Sequence, residues 1–568
     1  MVNVGMADGS DYSAVTPDRR RLLKGLCVGL GATVLAGCSS DGDGTDTDGG
    51  GDGGDGGDGD GGDGSGGDGG DGDDSGTPTA TQPDEVPTGG TLQVASSGDP
   101  QNLDPHTTTI NVAQMVLDNV VEELFEVDEN LDVQPLLAED YEVSDDETTY
   151  EITLKDDITF HNGDSLTSAD VQYSIERILD PDLGSPRAAN FELVDSIETP
   201  DDSTVVFELS EPFAPFIIGL AESASIVPEG IDEDTDLQQS PVGTGAFTFE
   251  DWQTDEQVTL AQYEDYHGSE VPYLDEVQFD VIPEAATRVT QLQDGSADVM
   301  FGVPFQRADD IGGGSNTSLQ SVSSLWKMGF WFNTDVEPFG DARVRRAISH
   351  AINREQLVQG VLFGRGEVAH DPIPPSSSWR DRIETGAAHE FDREQAQSLF
   401  DEAGVDPAEI STSIKASRTP GPTYGDSATL VQSQLSQLGM EVDVDIMDFS
   451  TWLQEAWVDK DFEMSVGSWA GRIDPDGWYY RQFHSEGAWN RFNYANDEVD
   501  ELLVEGRTTT DQEERGEIYS QIDQIVSEEA PQVYLYFRED LTGLKDTIGG
   551  YQLTPAHNAE FESVYLEE

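Results

Sequence analysis

Between Asp41 and Gly76 the chain carries no side chain that a core would accept: 19 Gly, 13 Asp and four Ser or Thr fill the 36 positions. Such a tract repels itself and gains nothing by collapsing, so it is predicted to stay disordered, and folding is confined to the sequence on either side. Its repeated Asp-Gly lacks the bidentate Glu and the apolar spacing of calcium loops. It reads as a stalk. A tether over 38–90 spans at least ~35 to 40 Å as a flexible coil, and more when charged. Pro78, Pro83 and Pro87 stiffen its C-terminal end.

The forty residues ahead of the tract read as an address. Arg19, Arg20, Arg21, Leu22, Leu23 and Lys24 precede an apolar run from Gly25 to Ala36, and Leu35-Ala36-Gly37-Cys38 closes it. A basic segment, a short apolar core and a small-residue site form a cleaved export signal, too short to span a bilayer. The paired arginines resemble a twin-arginine signal, although Asp18 and Leu22 depart from the usual Ser and Phe. Leu-Ala-Gly-Cys resembles a lipobox, which would place a lipid on the Cys38 thiol. The expected division is a signal over 1–37, a Gly/Asp tether over 38–90 and a folded body from 91.

Charge limits the partners of that body. The chain has 115 Asp+Glu against 28 Lys+Arg, a formal net charge of −87. Nucleic acid and anionic lipid surfaces would be repelled, so neither is expected as a partner, and the membrane is reached through the lipid anchor alone. On a compact body with about 17,000 Å² of surface, neighbouring carboxylates lie on the order of 13 Å apart. That exceeds a Debye length of about 3 Å at 1 M salt and is close to the value of about 10 Å at 0.1 M. Only six of the bases are Lys, and the composition resembles proteins of extreme halophiles. Two cysteines make neither a disulfide framework nor a four-cysteine zinc site.

From Thr91 onward, strand-like and helix-like segments alternate, which predicts an α/β body. Leu92 to Ala95, Tyr150 to Leu154, Thr204 to Leu209 and Glu441 to Ile446 read as strands. Helices are predicted from Ser168, where the Ser168 block supplies the cap, and over Asp341 to Leu362, Arg393 to Ala403, Ala428 to Leu438 and Glu513 to Glu529. No Gly-x-Ser-x-Gly elbow, Gly-Lys-Ser/Thr phosphate loop, His-Glu-x-x-His or Cys-x-x-Cys occurs. The eight His (106, 161, 267, 350, 370, 389, 484, 557) show no metal-ligand spacing. With so many acids, any carboxylate pair is expected by chance. No enzyme, cofactor or metal is predicted.

Several blocks, in order, carry a resemblance. They are Leu103-Asp104-Pro105; Glu122-Glu123-Leu124-Phe125; Gln134 to Glu139; Tyr150 to Asp157 with Thr159 to Asp164 and Ser168 to Val171; Ser240-Pro241-Val242-Gly243-Thr244-Gly245; Tyr266-His267-Gly268; Phe332-Asn333-Thr334 with Asp341 to Ile348; and Asn493-Tyr494 with Glu498-Val499-Asp500. Together they resemble the peptide/nickel/opine class (family 5) of extracellular solute-binding proteins that feed ABC importers, in a haloarchaeal-type lipoprotein form. The resemblance covers nearly all of 91–568. It implies a two-lobed, periplasmic-binding-protein-like α/β fold (type II, cluster C) whose lobes close around a solute by hinge motion. Lobe one is expected over 91–330 with 531–568 returning to it, and lobe two over 331–530. Locally, Asn162-Gly163 predicts a tight turn, and the two glycines of 241–245 predict a close backbone approach. Arg343, Arg345 and Arg346 read either as a helix-terminal ion-pair set or as ligand contacts.

The implied role is a lipid-anchored extracytoplasmic receptor, a monomer, that delivers a di- or oligopeptide-like solute to ABC permease subunits. An oligosaccharide or metal chelate as ligand, a sensor, and a surface-tethered hydrolase are the alternatives. The richest candidate site is Ser468 to Trp478. In peptide-binding relatives an Asp three residues after the tryptophan pairs with the peptide ammonium, and Arg472 stands at that offset from Trp469. This favours an acidic or neutral ligand unless Asp474 takes the role; Asp476 is the other carboxylate of the segment. Ser96 and Ser97, beyond the first strand, and Glu122, at a family position near the cleft, complete the candidates. Trp326, Trp331, Trp452, Trp457 and Trp489 remain divided between core and solute stacking.

Overall fold

The structure is a computed structural model that describes residues 86–567 except 234, 270, 419–422, 470, 557 and 558, and, at Trp469, the backbone alone. The signal, Cys38 and nearly all of the tether lie outside the described residues. Attachment to the body begins before Thr91: Gly89 N donates to Tyr273 O at 2.7 Å, and Gly90 N to the Asp275 carboxylate at 2.9 Å.

An 11-stranded mixed sheet runs through the body in the order Glu441–Met447, Ser411–Ser417, Met464–Trp469, Thr317–Phe332, Gln532–Lys545, Val299–Phe301, Thr91–Ser96, Glu276–Val281, Gln257–Gln262, Phe247–Gln253, with Gly366–Val368 pairing Gln532–Lys545 from the side. Ser411–Ser417 and Glu441–Met447 are parallel, which requires a crossover, and helix Thr423–Ser436 supplies it. A separate antiparallel sheet of four strands, Ala138–Val143, Thr149–Leu154, Thr204–Leu209 and Val194–Asp201, packs with helices Ser168–Leu179 and Phe216–Glu222 around a core that includes Tyr150, Ile152, Ile175, Phe207 and Phe216.

Two long antiparallel strands, Thr317–Phe332 and Gln532–Lys545, join the lobes. Their pairing runs from Thr317↔Lys545 to Ser323↔Glu539, slips, and resumes at Lys327↔Phe537. On one side of the slip Leu544 belongs to the core around Leu92, Val94 and Val277; on the other, Phe330, Phe332, Val533 and Leu535 belong to the core around Ile348, Leu357 and Val431. The two cores therefore share this pair of strands, and the slip in its pairing falls between Ser323 and Lys327 on one strand and between Glu539 and Phe537 on the other.

Local sequence explains most of the helices. Arg393–Ala403 is bounded as predicted: the Asp392 carboxylate accepts from Glu394 N and Gln395 N, and Gly404 ends the helix at φ 71°. The expected helix over Asp341 to Leu362 is two, Ala342–Ala351 and Arg354–Val361, because the Asn353 side chain accepts from Gln356 N at 2.9 Å and starts a new helix inside one apolar pattern. The cap of Ser168–Leu179 is Thr167, whose N donates to the Asp170 carboxylate at 2.8 Å, one residue before the expected block. Helix Thr423–Ser436 begins five residues earlier than the apolar spacing indicated.

Candidate functional site

The site grows from a close backbone crossing. A Cβ at Gly243 would stand 2.2 Å from Val120 O, and one at Gly245 would stand 2.6 Å from Asn119 O, so only glycine admits this contact. Gly245 N donates to Val120 O at 3.1 Å and Phe247 N to Asn119 O at 3.0 Å. The Asn119 side chain then ties in the C-terminal segment: its Nδ2 donates to Ala559 O at 2.8 Å, and its Oδ1 accepts from Phe561 N at 3.0 Å. These bonds hold 118–126, 245–246 and 559–563 around one space.

That space is a cavity of about 720 Å³, closed from the other side by Leu325, Trp326 and Gly471-Arg472-Ile473. Seven carboxyl side chains line it: Asp118, Glu122, Glu123, Glu126, Glu222, Glu560 and Glu562. Glu122 is buried; its carboxylate lies 2.9 Å from His267 Nε2 and accepts from Tyr266 Oη at 3.1 Å, while Tyr266 Oη also lies 2.7 Å from Glu562. Glu123 accepts from Ser225 Oγ at 2.7 Å, yet burial, with Asp118 and Glu122 beside it, pushes it up to about 7. Glu560 lines the cavity with its side chain exposed to it; desolvation by the surrounding protein first, then the neighbouring carboxylates, push it up to about 8. Burial also raises Glu222, against the pull of Arg472. A wall of this kind favours a ligand that brings positive charge, because an ammonium would relieve the crowding that holds these protons on.

The predicted residues are only partly gathered there. Glu122 and Arg472 line the cavity. Arg472 lies 5.6 Å over the Trp489 ring, and its Nε has no hydrogen-bond partner among the described residues. Asp474 and Asp476 are committed elsewhere. Asp474 caps helix Pro475–Phe483 and forms a two-pronged pair with buried Arg515 at 2.8 Å on each prong. Asp476 is 5% exposed and paired with Arg507 at 3.1 Å. Neither lines the cavity. Ser96 is turned to Gly98 O at 3.0 Å, Ser97 is exposed, and neither lines the cavity. Trp469 closes its strand, and its side chain lies outside the described residues.

Two of the three clustered arginines are bound within the protein: Arg343 pairs with Asp341, and buried Arg345 donates to Phe339 O, Gly340 O and Ala530 O near the end of helix Gln512–Glu529. Among the tryptophans, Trp331 and Trp452 are core and Trp326 is a cavity wall. Sequence reasoning missed Glu123, His267, Glu560 and Glu562. The first two stand inside family-like blocks, whereas the C-terminal pair carries no local signal. Trp326 also borders a second cavity, of about 350 Å³, lined by Lys327, Tyr424, Ser468, Tyr536 and Arg538 and sharing Asn111 and Met115 with the first.

A wide cavity where two α/β lobes meet across shared strands defines a class, the two-lobed solute-binding proteins. The model of bacterial extracellular solute-binding proteins, family 5 Middle, matches residues 132–491, and the chain belongs to that family. Its members bind solutes and are not enzymes. The oligopeptide-binding protein AppA of Bacillus subtilis is 28% identical over 497 residues, 82% of this chain and 90% of that protein. Its structure with a nonapeptide matches with a TM-score of 0.71, covering 85% of this chain and 100% of that one. The ABC transporter substrate-binding protein CtaP of Listeria monocytogenes matches at 0.78, with 25% identity and coverage of 85% and 100%. DppA of Helicobacter pylori, in complex with the peptide STSA, matches at 0.72, with 26% identity and coverage of 85% and 99%.

Proposed function

We propose that the chain is a lipid-anchored extracytoplasmic receptor that captures a di- or oligopeptide-like solute and hands it to the permease of an ABC importer. The observation that carries this reading is the 720 Å³ cavity between lobes, walled by carboxyl groups that suit a peptide ammonium. The relatives add weight, since AppA was solved with a nonapeptide and DppA with STSA. In this reading residues 1–37 are removed, Cys38 carries the lipid, and 38–90 lets the body turn toward the permease. Lobe one takes in 91–330 and the C-terminal return, lobe two takes in the remainder, and the slipped pairing at 323–327 and 537–539 is the hinge. Glu122 and Arg472 face the solute, while Asp474 and Asp476 hold the segment that presents Arg472.

Calorimetry on the full chain in molar KCl, with a defined peptide panel that includes Ser-Thr-Ser-Ala, tests the reading. One equivalent bound, and recovered intact by mass spectrometry after prolonged incubation, supports it. Sustained release of cleaved peptide, or absence of binding across the panel, defeats it.

A further inference from the structure

Arg346, the third of the clustered arginines, has nothing in the protein to hold. Its Nε is buried, and its guanidinium makes no hydrogen bond or ion pair with any described residue, in a chain that carries 115 acids. A half-buried guanidinium without a counter-charge forfeits part of its hydration, a cost that an arriving anion removes. Arg346 lines a cavity of about 340 Å³ where three helices and a loop meet. Each helix offers one face: Arg346 and His350 from Ala342–Ala351, Gln395 and Leu399 from Arg393–Ala403, Gln524 and Glu528 from Gln512–Glu529, every pair four residues apart. The loop adds His389, and its path is fixed, since Gly386 N donates to the Asp523 carboxylate at 2.7 Å and Arg354 donates to His389 O at 2.9 Å. This cavity shares no lining residue with the two described above.

Donors dominate the lining. His350 Nδ1 donates to Glu390 O at 2.7 Å, the His389 ring lies 5.0 Å from the His350 ring with no hydrogen bond of its own, and the Gln395 and Gln524 amides engage no described residue. Burial first, and then the fields of His350, Arg354, Arg346 and His370, push His389 down to about 3, so this corner is positive in a protein that is strongly negative as a whole. Glu390 turns its carboxylate to His370 at 3.7 Å, which leaves Glu528 as the single acid among the described lining residues. A carboxylate only accepts, so it tolerates an anion that brings a proton with it. We propose that this cavity binds an oxyanion carrying its own proton, a hydrogen phosphate either free or as a monoester. The Arg346 fork and the amides beside it meet the anionic oxygens, and the P–OH donates to Glu528. The site is separate from the cleft and does not depend on the receptor reading.

Calorimetry on the full chain in molar KCl tests this at a pH of about 6, where phosphate and its monoesters both retain a proton in good part. The probes are inorganic phosphate, glycerol 3-phosphate and sulfate, which has the charge and shape but no proton to give. The proposal expects one equivalent of phosphate, bound about ten-fold or more tightly than sulfate, because the bond to Glu528 is charge-assisted. Equal or tighter binding of glycerol 3-phosphate assigns a monoester, and its exclusion assigns the free ion. Arg346→Gln should weaken phosphate binding by about ten-fold or more. It should leave the melting temperature and peptide binding in the cleft unchanged, since no protein group is stranded by the loss. Glu528→Gln, at an exposed position, should fold normally and erase the preference for phosphate over sulfate, an effect that a merely structural role would not produce. Equal affinities for phosphate and sulfate in the natural chain would mean an adventitious ion only and overturn the proposal. Absence of binding by all three probes, undiminished binding in Arg346→Gln, or an undiminished preference in Glu528→Gln overturns it as well.

Discussion

Glu123 and Glu560 give the site a pH response of known sign. Both hold protons up to about 7 and about 8, far above the usual 4.5 for Glu, because burial and neighbouring carboxylates oppose ionisation. A ligand ammonium favours the ionised forms, so binding expels protons. Affinity for a peptide ammonium should therefore rise between pH 6 and pH 8, with a binding heat that varies with the ionisation enthalpy of the buffer. In the empty protein the sign reverses. The folded form keeps these protons longer than the unfolded chain, so the two groups favour folding below about 4.5, and that contribution is lost as pH rises through about 7 and 8. Thermal melts of the empty protein across that range check this half. A second residue-scale prediction concerns the buried ion pair of Arg177 with Asp104, 2.8 Å apart with 7% and 2% of the side chains exposed. Arg177→Met strands the Asp104 carboxylate and should cost about 3 to 5 kcal/mol in a denaturant titration. None of these roles was legible in the sequence, because a chain with 115 acids gives no local sign of which carboxyls a fold will crowd together.

Elements were easier to read than sites, and the reason is local. Arg393–Ala403 was legible because Asp392 and Gly404 mark its ends, and Thr204–Leu209 because its alternation is unbroken. The break at Asn353 was not, since apolar spacing continues across it and only the side-chain cap reveals the new helix. The glycines of 243–245 were expected to admit a close approach; what they approach, the segment leading into Glu122, needed the tertiary structure. Gly243→Ala should push 119–122 away from its position, lowering the melting temperature by the equivalent of at least ~1 to 3 kcal/mol and weakening peptide binding together with it. An unchanged melt and unchanged affinity would contradict the assigned contact. The cavity draws on 111–127, 221–222, 245–269, 325–326, 471–473, 556 and 560–563, and no single stretch of sequence announces such a gathering.

At the scale of the molecule, eight ordered blocks were enough to reveal the family and hence the two-lobed fold, although each was weak alone. Net charge makes a separate demand. Of the chain's −87, residues 91–568 carry −73, and their folding compresses carboxylates to spacings that dilute salt does not screen. Dilution below about 0.5 M salt should loosen or unfold the body, seen as lost ellipticity and red-shifted tryptophan emission; full retention of both in dilute buffer would contradict the expectation.

The central claim is that the lobes grip an unaltered peptide-like solute. Its most direct test is to purify the chain from its cells in molar salt, release whatever it holds with denaturant, and identify and count that material by mass spectrometry. The account predicts close to one peptide-sized, amine-bearing molecule per chain. A stoichiometric sugar or metal chelate in its place, or a chain that emerges empty and takes up no peptide afterwards, would contradict it.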